Sequence, residues 1–210
     1  MICLADNDII LKLARCDLLS EAVAALGITV ADVLVLNSAV HKLLSPMKPG
    51  KGIVKQGEPE YERLRVFFDS VRMIDLAPPP DELLAFNDVL GIDTGEAVLF
   101  SATGVYADYL LATSDKRSLI ALCGAGGEVC GRVRDRLKGR VVCFEQTILS
   151  ILDRVGFAPI LAKVVPNRHC DMALRAVFGS GLSATESRVR EGLSSYIEDL
   201  RRQTIDLLVS

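Results

Sequence analysis

Residues 2–11 read Ile-Cys-Leu-Ala-Asp-Asn-Asp-Ile-Ile-Leu, so a short apolar run ends in two acids and a second apolar run follows them. The first run predicts a buried strand over Ile2–Ala5, and the helical spacing that begins at residue 9 predicts a helix after it. Side chains that directly follow a strand of a parallel α/β sheet lie at its carboxyl edge, where such sheets bind ligands. The stretch therefore predicts that Asp6 and Asp8 lie at a ligand-binding edge.

The rest of the chain repeats this alternation of strand and helix as far as residue 155. Further strands are predicted at 28–30, 73–76, 109–113 and 141–144. Helices are predicted at 17–26, 32–44, 61–71, 81–90, 97–106, 116–122, 128–137 and 146–155. The segment 45–57, rich in lysine, proline and glycine, predicts a loop, and the prolines at 78–80 predict a break. This order predicts an α/β protein, a three-layer α/β/α sandwich around a mostly parallel sheet.

Only helices are predicted after Pro166. The segment 183–186 reads Ser-Ala-Thr-Glu, a capping-box pattern, and predicts the start of a long helix. Apolar residues recur along one side of that helix, at Val189, Leu193, Ile197, Leu200 and Leu208. We therefore expect a domain over residues 1–160 and a helical extension over 161–210, which packs on the domain or on a second copy of the chain.

The composition describes an ordered protein of 210 residues, half of them apolar, with a formal net charge of −3. Proteins that bind nucleic acid mainly through charge are usually basic, so that class is disfavoured. The six cysteines include no Cys-x-x-Cys pair, which favours free thiols and a cytoplasmic location. With neither an N-terminal leader pattern nor an apolar run of membrane-spanning length, the chain is expected to be soluble.

Acidic residues fall where predicted strands end or predicted helices begin: Asp6, Asp8, Asp93, Glu96, Asp115 and Glu145. Asp6, Asp8 and Asp115 could each be a helix N-cap, a role worth about 1 kcal/mol, and the spacing of Asp93 and Glu96 fits an acidic variant of the capping box. If four of them instead converged about 5 Å apart, each ionised pair would repel by roughly 3 kcal/mol at an effective dielectric constant near 20. Such a cluster persists by binding protons or a cation, and oxygen ligands favour Mg²⁺. Both interpretations stay open at this point.

Three segments, in this order, resemble the PIN domain family. Residues 4–11 (Leu-Ala-Asp-Asn-Asp-Ile-Ile-Leu) resemble the family's first strand, which ends in a catalytic Asp. Residues 95–102 (Gly-Glu-Ala-Val-Leu-Phe-Ser-Ala) are similar to the Gly-Glu-Ala helix of one PIN branch. Residues 111–117 (Leu-Ala-Thr-Ser-Asp-Lys-Arg) resemble that branch's strand ending in Thr-x-Asp. The last family strand and helix have counterparts at 140–144 and 148–156.

The resemblance implies an α/β nuclease that hydrolyses RNA phosphodiesters with Mg²⁺ or Mn²⁺. By position, Asp6, Glu96 and Asp115 are the implied catalytic residues, and Asp8 and Asp93 complete the implied set of metal ligands. Many members are toxins of toxin–antitoxin pairs, so RNA and an antitoxin protein are the implied partners.

The chain departs from the family on the helix after the second strand, where members usually carry a Glu. Here that position falls near Leu36 or Asn37, so weaker metal binding or loss of activity is expected. A catalytically inactive module that binds RNA or protein is therefore one alternative. Another is a phosphohydrolase of the haloacid-dehalogenase type, because residues 6–8 (Asp-Asn-Asp) also fit that family's Asp-x-Asp opening, whose first Asp is a nucleophile.

A basic run lies on the helix predicted at 128–137 and just beyond it, at Arg132, Arg134, Arg136, Lys138 and Arg140. It predicts either a solvated helix face or a strip that contacts RNA phosphates.

Overall fold

The computed structural model of the chain describes residues 1–45, 48, 51–75 and 79–210. Five parallel strands form its sheet in the order β3-β2-β1-β4-β5. The strands are β1 (Ile2–Ala5), β2 (Val33–Val35), β3 (Arg72–Met73), β4 (Tyr109–Thr113) and β5 (Val141–Cys143). The predicted α/β class and parallel sheet are confirmed. Because every strand runs the same way, the residues after β1, β4 and β5 lie along one edge.

Helices connect the strands and follow the last of them. In chain order they are α1 (Asn7–Arg15), α2 (Leu19–Ala25), α3 (Ala39–Leu43), α4 (Pro59–Phe68), α5 (Pro80–Asn87), α6 (Thr94–Ala102), α7 (Lys116–Gly124), α8 (Glu128–Leu137), α9 (Phe144–Val155), α10 (Phe157–Asn167), α11 (Met172–Val177) and α12 (Glu186–Thr204). Short 3₁₀ turns lie at Val30–Asp32, Arg168–Cys170 and Gly181–Ser183. In the part of the chain that the structure describes, no helix is both long and apolar enough to cross a membrane.

The predicted strand–helix unit at the start of the chain is confirmed. Leu4 of β1 is fully buried between its two neighbouring strands, and Ile9 and Ile10 on the first turn of α1 are 1% exposed. Burying a large aliphatic side chain stabilises the fold by about 1.5–3 kcal/mol, so this unit anchors the core. The anchored strand and helix fix Asp6 between them, at the N-cap position of α1.

The second strand lies at Val33–Val35, so the prediction of a strand at 28–30 is wrong, and the helix predicted over 32–44 is limited to α3, Ala39–Leu43. The Asp32 carboxylate accepts hydrogen bonds from the backbone N–H and the hydroxyl of Thr29, at 2.9 and 2.6 Å. These bonds close the 3₁₀ turn, and the apolar residues after it enter the sheet. A short apolar run does not by itself distinguish a strand from a helix.

Some predictions fall on residues outside the described part of the chain. They are the middle of the loop over 45–57, the end of the strand over 73–76 and the first of the prolines at 78–80. Within the described residues, the third strand is Arg72–Met73 and the helix after the prolines begins at Pro80.

The C-terminal region packs on the rest of this chain. Val189, Leu193, Ile197 and Leu200 on α12 are buried, and α12 contacts α9 and α7. The predicted long helix is confirmed, but Thr185 is its N-cap and its side chain makes no capping hydrogen bond.

The last residues are not helical, contrary to the prediction of helices alone after Pro166. Leu208 lies beside Val141 of β5 in a parallel bridge, and the Val209 N–H donates to the Val141 carbonyl oxygen at 2.9 Å. Leu208 therefore belongs to the sheet edge and not to the apolar side of α12. The helix ends at Thr204 because Ile205 and Asp206 adopt positive φ angles of 37° and 63°. The extension is thereby joined to the sheet at β5.

Candidate carboxylate site

Asp6 and Asp115 lie at the ends of adjacent strands and are connected through Thr113. The Asp6 N–H donates to the carbonyl oxygen of Ala112 on β4 at 3.0 Å, which continues the pairing of β1 with β4. The Thr113 hydroxyl lies 3.4 Å from Asp6 Oδ2 and accepts the Asp115 N–H at 3.0 Å. The parallel sheet thus brings together two acids that are far apart in the sequence.

Glu96 joins this pair from the first turn of α6. Its Oε2 accepts the Asp93 N–H at 2.6 Å, and Asp93 Oδ1 accepts the Glu96 N–H at 2.9 Å, so the two residues form a capping box. Asp115 caps α7 in a similar way, because its Oδ1 accepts the N–H groups of Arg117 and Ser118 at 2.8 and 3.2 Å. The N-cap interpretation is therefore confirmed for Asp93 and Asp115.

Asp6 differs from these caps. It is the N-cap residue of α1, but its side chain makes no capping hydrogen bond. Its side chain is instead buried, and burial together with the charges of Asp8 and Asp115 raises its pKa from 3.8 to about 6. The Asp8 backbone N–H lowers this pKa, but the effect of burial is larger.

Glu96 and Asp115 form a hydrogen-bonded carboxyl pair. Burial and the hydrogen bond with Asp115 raise the pKa of Glu96 from 4.5 to about 8. Burial alone would raise the pKa of Asp115 too, but the hydrogen bond from Glu96 and those from the backbone of α7 lower it. The hydrogen bond between the two carboxyl groups therefore favours a state in which one of them carries a proton. The cluster binds a proton, as expected when carboxylates converge.

Asp115 is therefore close to both Asp6 and Glu96, while Asp8 and Asp93 are exposed. Among the described residues, no three Asp, Glu, His or Cys side chains are arranged to hold one metal ion together. Mg²⁺ typically uses only one or two carboxylates and completes its shell with water and phosphate oxygens. The Asn7 Oδ1 and Ser114 Oγ atoms, next to Asp6 and Asp115, are buried without hydrogen-bond partners. Asp6 and Asp115 thus offer carboxylate oxygens, the kind of ligand that Mg²⁺ and Mn²⁺ prefer.

Lys42 is a residue near Asp6 that sequence reasoning did not single out. The helix after the second strand is α3, so Leu36 and Asn37 lie before this helix and not on it. No acid occurs in α3. Lys42 instead lies close enough for its positive charge to lower the pKa of Asp6, against the larger effect of burial. No local sequence pattern placed this lysine near Asp6.

Glu145 lies at the same edge, after β5, and its charge is neutralised within the chain. Its side chain is 1% exposed, and its Oε1 accepts a hydrogen bond from Lys116 Nζ at 2.5 Å. Glu145 Oε2 is buried without a hydrogen-bond partner. Lys116 also lies over the ring of Tyr196 on α12, 4.8 Å from its centroid. The Lys116–Glu145 pair therefore connects the site edge to the C-terminal helix.

The basic run is engaged within the chain. Arg136 forms a bidentate ion pair with Glu82, at 2.9 and 2.8 Å, and Arg134 donates to backbone carbonyls that include that of Ala125. Arg132, Lys138 and Arg140 pair with Asp81, with Asp135 and with the carbonyl of Ala107, respectively. A solvated face describes only Arg132 and Lys138, which are about half exposed (49% and 52%).

Arg117 is the cation at the open side of the site. Its side chain is 90% exposed, and its Nη2 lies 3.5 Å from Asp115 Oδ2. An exposed guanidinium that already neighbours a candidate ligand is well placed to bind a phosphate group.

Fold and site together define a parallel α/β protein with a carboxylate cluster at the carboxyl edge of its sheet. Comparisons of the chain with protein-family models, with curated proteins and with solved structures find no match. Membership of the PIN family therefore stays a prediction.

Proposed function

We propose that this chain is a metal-dependent endoribonuclease with a PIN-like, three-layer α/β/α fold. The observation that supports the proposal is the position of Asp115 close to both Asp6 and Glu96, three acids from different elements, at the carboxyl edge of a parallel sheet. Helix capping alone does not require these acids to lie close to one another. The repulsion between their carboxylates is relieved by protons or by a cation.

The carboxylates of Asp6 and Asp115 hold Mg²⁺ or Mn²⁺ in this proposal, with Asp8 and Asp93 at the rim. When bound, such an ion lowers the pKa of a coordinated water and neutralises charge on the attacked phosphate. Glu96 would hold a proton on its carboxyl group in the metal-free pair, and a cation at Asp115 would favour release of that proton to solvent. Its capping box with Asp93 keeps that carboxyl group in place during the change.

Arg117 and Lys42 bind the phosphates on either side of the scissile bond. Both side chains are exposed near the acids, whereas the run on α8 is engaged elsewhere. Local cations of this kind are needed because the net charge of −3 does not attract RNA. As for many PIN proteins, an antitoxin protein is a further proposed partner.

The test is cleavage of a fluorescently labelled single-stranded RNA by the purified protein, in Mn²⁺ and in chelator. We expect cleavage only with metal, and a loss of at least about 100-fold in the Asp6→Asn and Asp115→Asn variants. Cleavage that survives equally in both variants would mean that these acids are not the catalytic ones.

A second candidate function is a catalytically inactive PIN-like module that binds RNA or a partner protein. The observation that favours it is the positive charge of Lys42, which acts on Asp6 from α3, a helix that contains no acid. Metal-independent RNA binding without cleavage would support this candidate. Turnover of a small phosphate ester that is lost in Asp6→Asn would instead support the phosphohydrolase alternative.

A further inference from the structure

Two cysteines from opposite ends of the chain are in contact. The Sγ atoms of Cys16 and Cys170 lie 3.9 Å apart, although the residues are 154 positions apart in sequence. Cys16 is the fully buried C-cap residue of α1, and Cys170 ends the 3₁₀ turn Arg168–Cys170. Both are free thiols.

Ion pairs hold this contact in place on both sides. Lys12 Nζ binds Asp171 Oδ2 at 2.8 Å, with both side chains mostly buried (19% and 12% exposed). Lys163 on α10 donates to the Asp17 carbonyl oxygen at 2.8 Å and lies 3.1 Å from Asp17 Oδ2. The residues next to each cysteine are thus tied to the opposite segment, so the two sulfur atoms stay near each other.

We propose that Cys16 and Cys170 are an oxidative-modification site, at which a peroxide forms a disulfide that joins α1 covalently to the C-terminal helices. A disulfide has an S–S bond of about 2 Å, so each sulfur atom moves by about 1 Å through side-chain rotation. The proposal does not depend on the function of the carboxylate site.

Cys170 is the cysteine that reacts first. It is partly exposed, and the hydrogen bond with Cys16 lowers its thiol pKa against the opposing effect of burial, with Arg15 and Lys12 nearby. The same hydrogen bond and burial raise the pKa of Cys16. The thiolate is the nucleophile, so the difference selects Cys170.

The reaction balances with one peroxide for each disulfide. The Cys170 thiolate attacks hydrogen peroxide, an S–O bond forms as the O–O bond breaks, and hydroxide leaves. The resulting sulfenic acid is attacked by Cys16 sulfur, so that the S–S bond forms, the S–O bond breaks and water leaves with the proton of Cys16. Overall the two thiols lose two electrons and peroxide becomes two molecules of water.

The bond closes a loop that spans most of the chain and so restricts the unfolded state. For a protein of this size we expect the oxidised form to melt about 5–15 °C higher than the reduced form. Reduction with dithiothreitol should restore the original melting temperature.

The test is treatment of the full chain with equimolar hydrogen peroxide, alkylation of the remaining thiols and mass spectrometry of unreduced peptides. We expect a mass loss of about 2 Da and one cross-linked peptide pair containing Cys16 and Cys170. Cys170→Ser, at a partly exposed position, should abolish the cross-link and the rise in melting temperature. Cys16→Ala serves the same purpose if the buried serine of Cys16→Ser destabilises the fold.

The matched control is Cys123→Ser, because Cys123 is also partly exposed. Its Sγ donates to the Thr204 carbonyl oxygen, and no contact with a second thiol is found for it among the described residues. This variant should still form the cross-link. Oxidation of Cys170 to the sulfinic acid without a cross-link, or a disulfide that does not contain both residues, would overturn the proposal.

Discussion

Glu96 and Asp115 share a hydrogen bond between their carboxyl groups while both belong to helix N-caps. Glu96 completes the capping box of Asp93 on α6, and Asp115 caps α7 with the same carboxyl group. Capping bonds orient both side chains before any ligand binds. Capping and clustering are therefore compatible roles, because the caps position the cluster.

The metal-free protein should lose stability as the pH rises from about 4.5 to about 8. Folding raises the pKa of Glu96 from 4.5 to about 8 and that of Asp6 from 3.8 to about 6. Between the two values of each group the folded state binds more protons than the unfolded state. That stabilisation is complete below the lower value and is lost as the pH passes the upper one. Melting temperatures in chelator at pH 5 to 8.5 measure it.

Glu96→Gln should flatten this pH dependence, because Gln keeps the capping box and mimics the protonated acid. Glu62→Gln, at an acid whose side chain is 63% exposed, is the matched control and should follow the wild type. If the melting temperatures of Glu96→Gln and the wild type change equally with pH, Glu96 does not carry the proposed proton.

Mn²⁺ should raise the melting temperature of the wild type and not that of Asp115→Asn. Asn caps helices as well as Asp does, so this variant keeps α7 and loses only a negative ligand. Asp135→Asn, an exposed acid on α8, is the control and should respond as the wild type does. If millimolar Mn²⁺ does not change the melting temperature of the wild type, Asp93, Glu96 and Asp115 have a capping role alone.

The central part of the fold could be predicted from the sequence because its signals are local. The apolar runs at Ile2–Ala5 and Tyr109–Thr113 are long enough to identify strands, and a parallel sheet then places Asp6 and Asp115 at one edge. Asp93 and Glu96 were recognisable as a capping box by their spacing.

Other features depend on contacts that no local pattern contains. The second strand was predicted too early because Ile28, Thr29 and Val30 are residue types typical of strands. In the structure Thr29 and Asp32 instead form the capping box of a 3₁₀ turn. The position of Lys42 near Asp6 depends on the packing of α3, which no local sequence pattern gives. The pairing of Leu208 with β5 joins residues 67 positions apart, from Val141 to Leu208, and nothing in the last residues themselves predicts it.

Arg117→Gln should weaken RNA binding, whereas Arg134→Gln should not. Arg117 is 90% exposed beside Asp115, and Arg134 donates hydrogen bonds to backbone carbonyls at the C-terminal end of α7. Loss of one phosphate contact should lower the salt dependence of single-strand binding by roughly 0.7 in log–log slope. Fluorescence anisotropy in the Asp115→Asn background separates binding from cleavage. Equal losses in both variants would point to a fold defect or to a different RNA path.

Lys116→Met should destabilise the protein by about 3 kcal/mol, because it leaves the Glu145 carboxylate buried without a counter-ion. Adding Glu145→Gln to the same chain should recover much of the loss, since the buried charge is then removed. Urea denaturation of the two variants and the wild type measures both effects. Additive losses in the double variant would show that the two side chains do not interact energetically.

Lys42→Glu should tighten Mn²⁺ binding. The Lys42 charge is felt at Asp6, so a dication there is repelled by the ammonium group and would be attracted by a carboxylate. Replacing this repulsion by an attraction in a solvent-exposed setting is worth about 1.4 kcal/mol, so Lys42→Glu should lower the Kd for Mn²⁺ roughly tenfold. Lys42→Gln removes the charge without reversing it, so its Kd should fall between those of the wild type and Lys42→Glu. Lys55→Glu controls for the change in net charge alone. Calorimetric titration of the four proteins gives the order. If Lys42→Glu binds Mn²⁺ no better than Lys55→Glu does, Lys42 does not limit the metal affinity of this site.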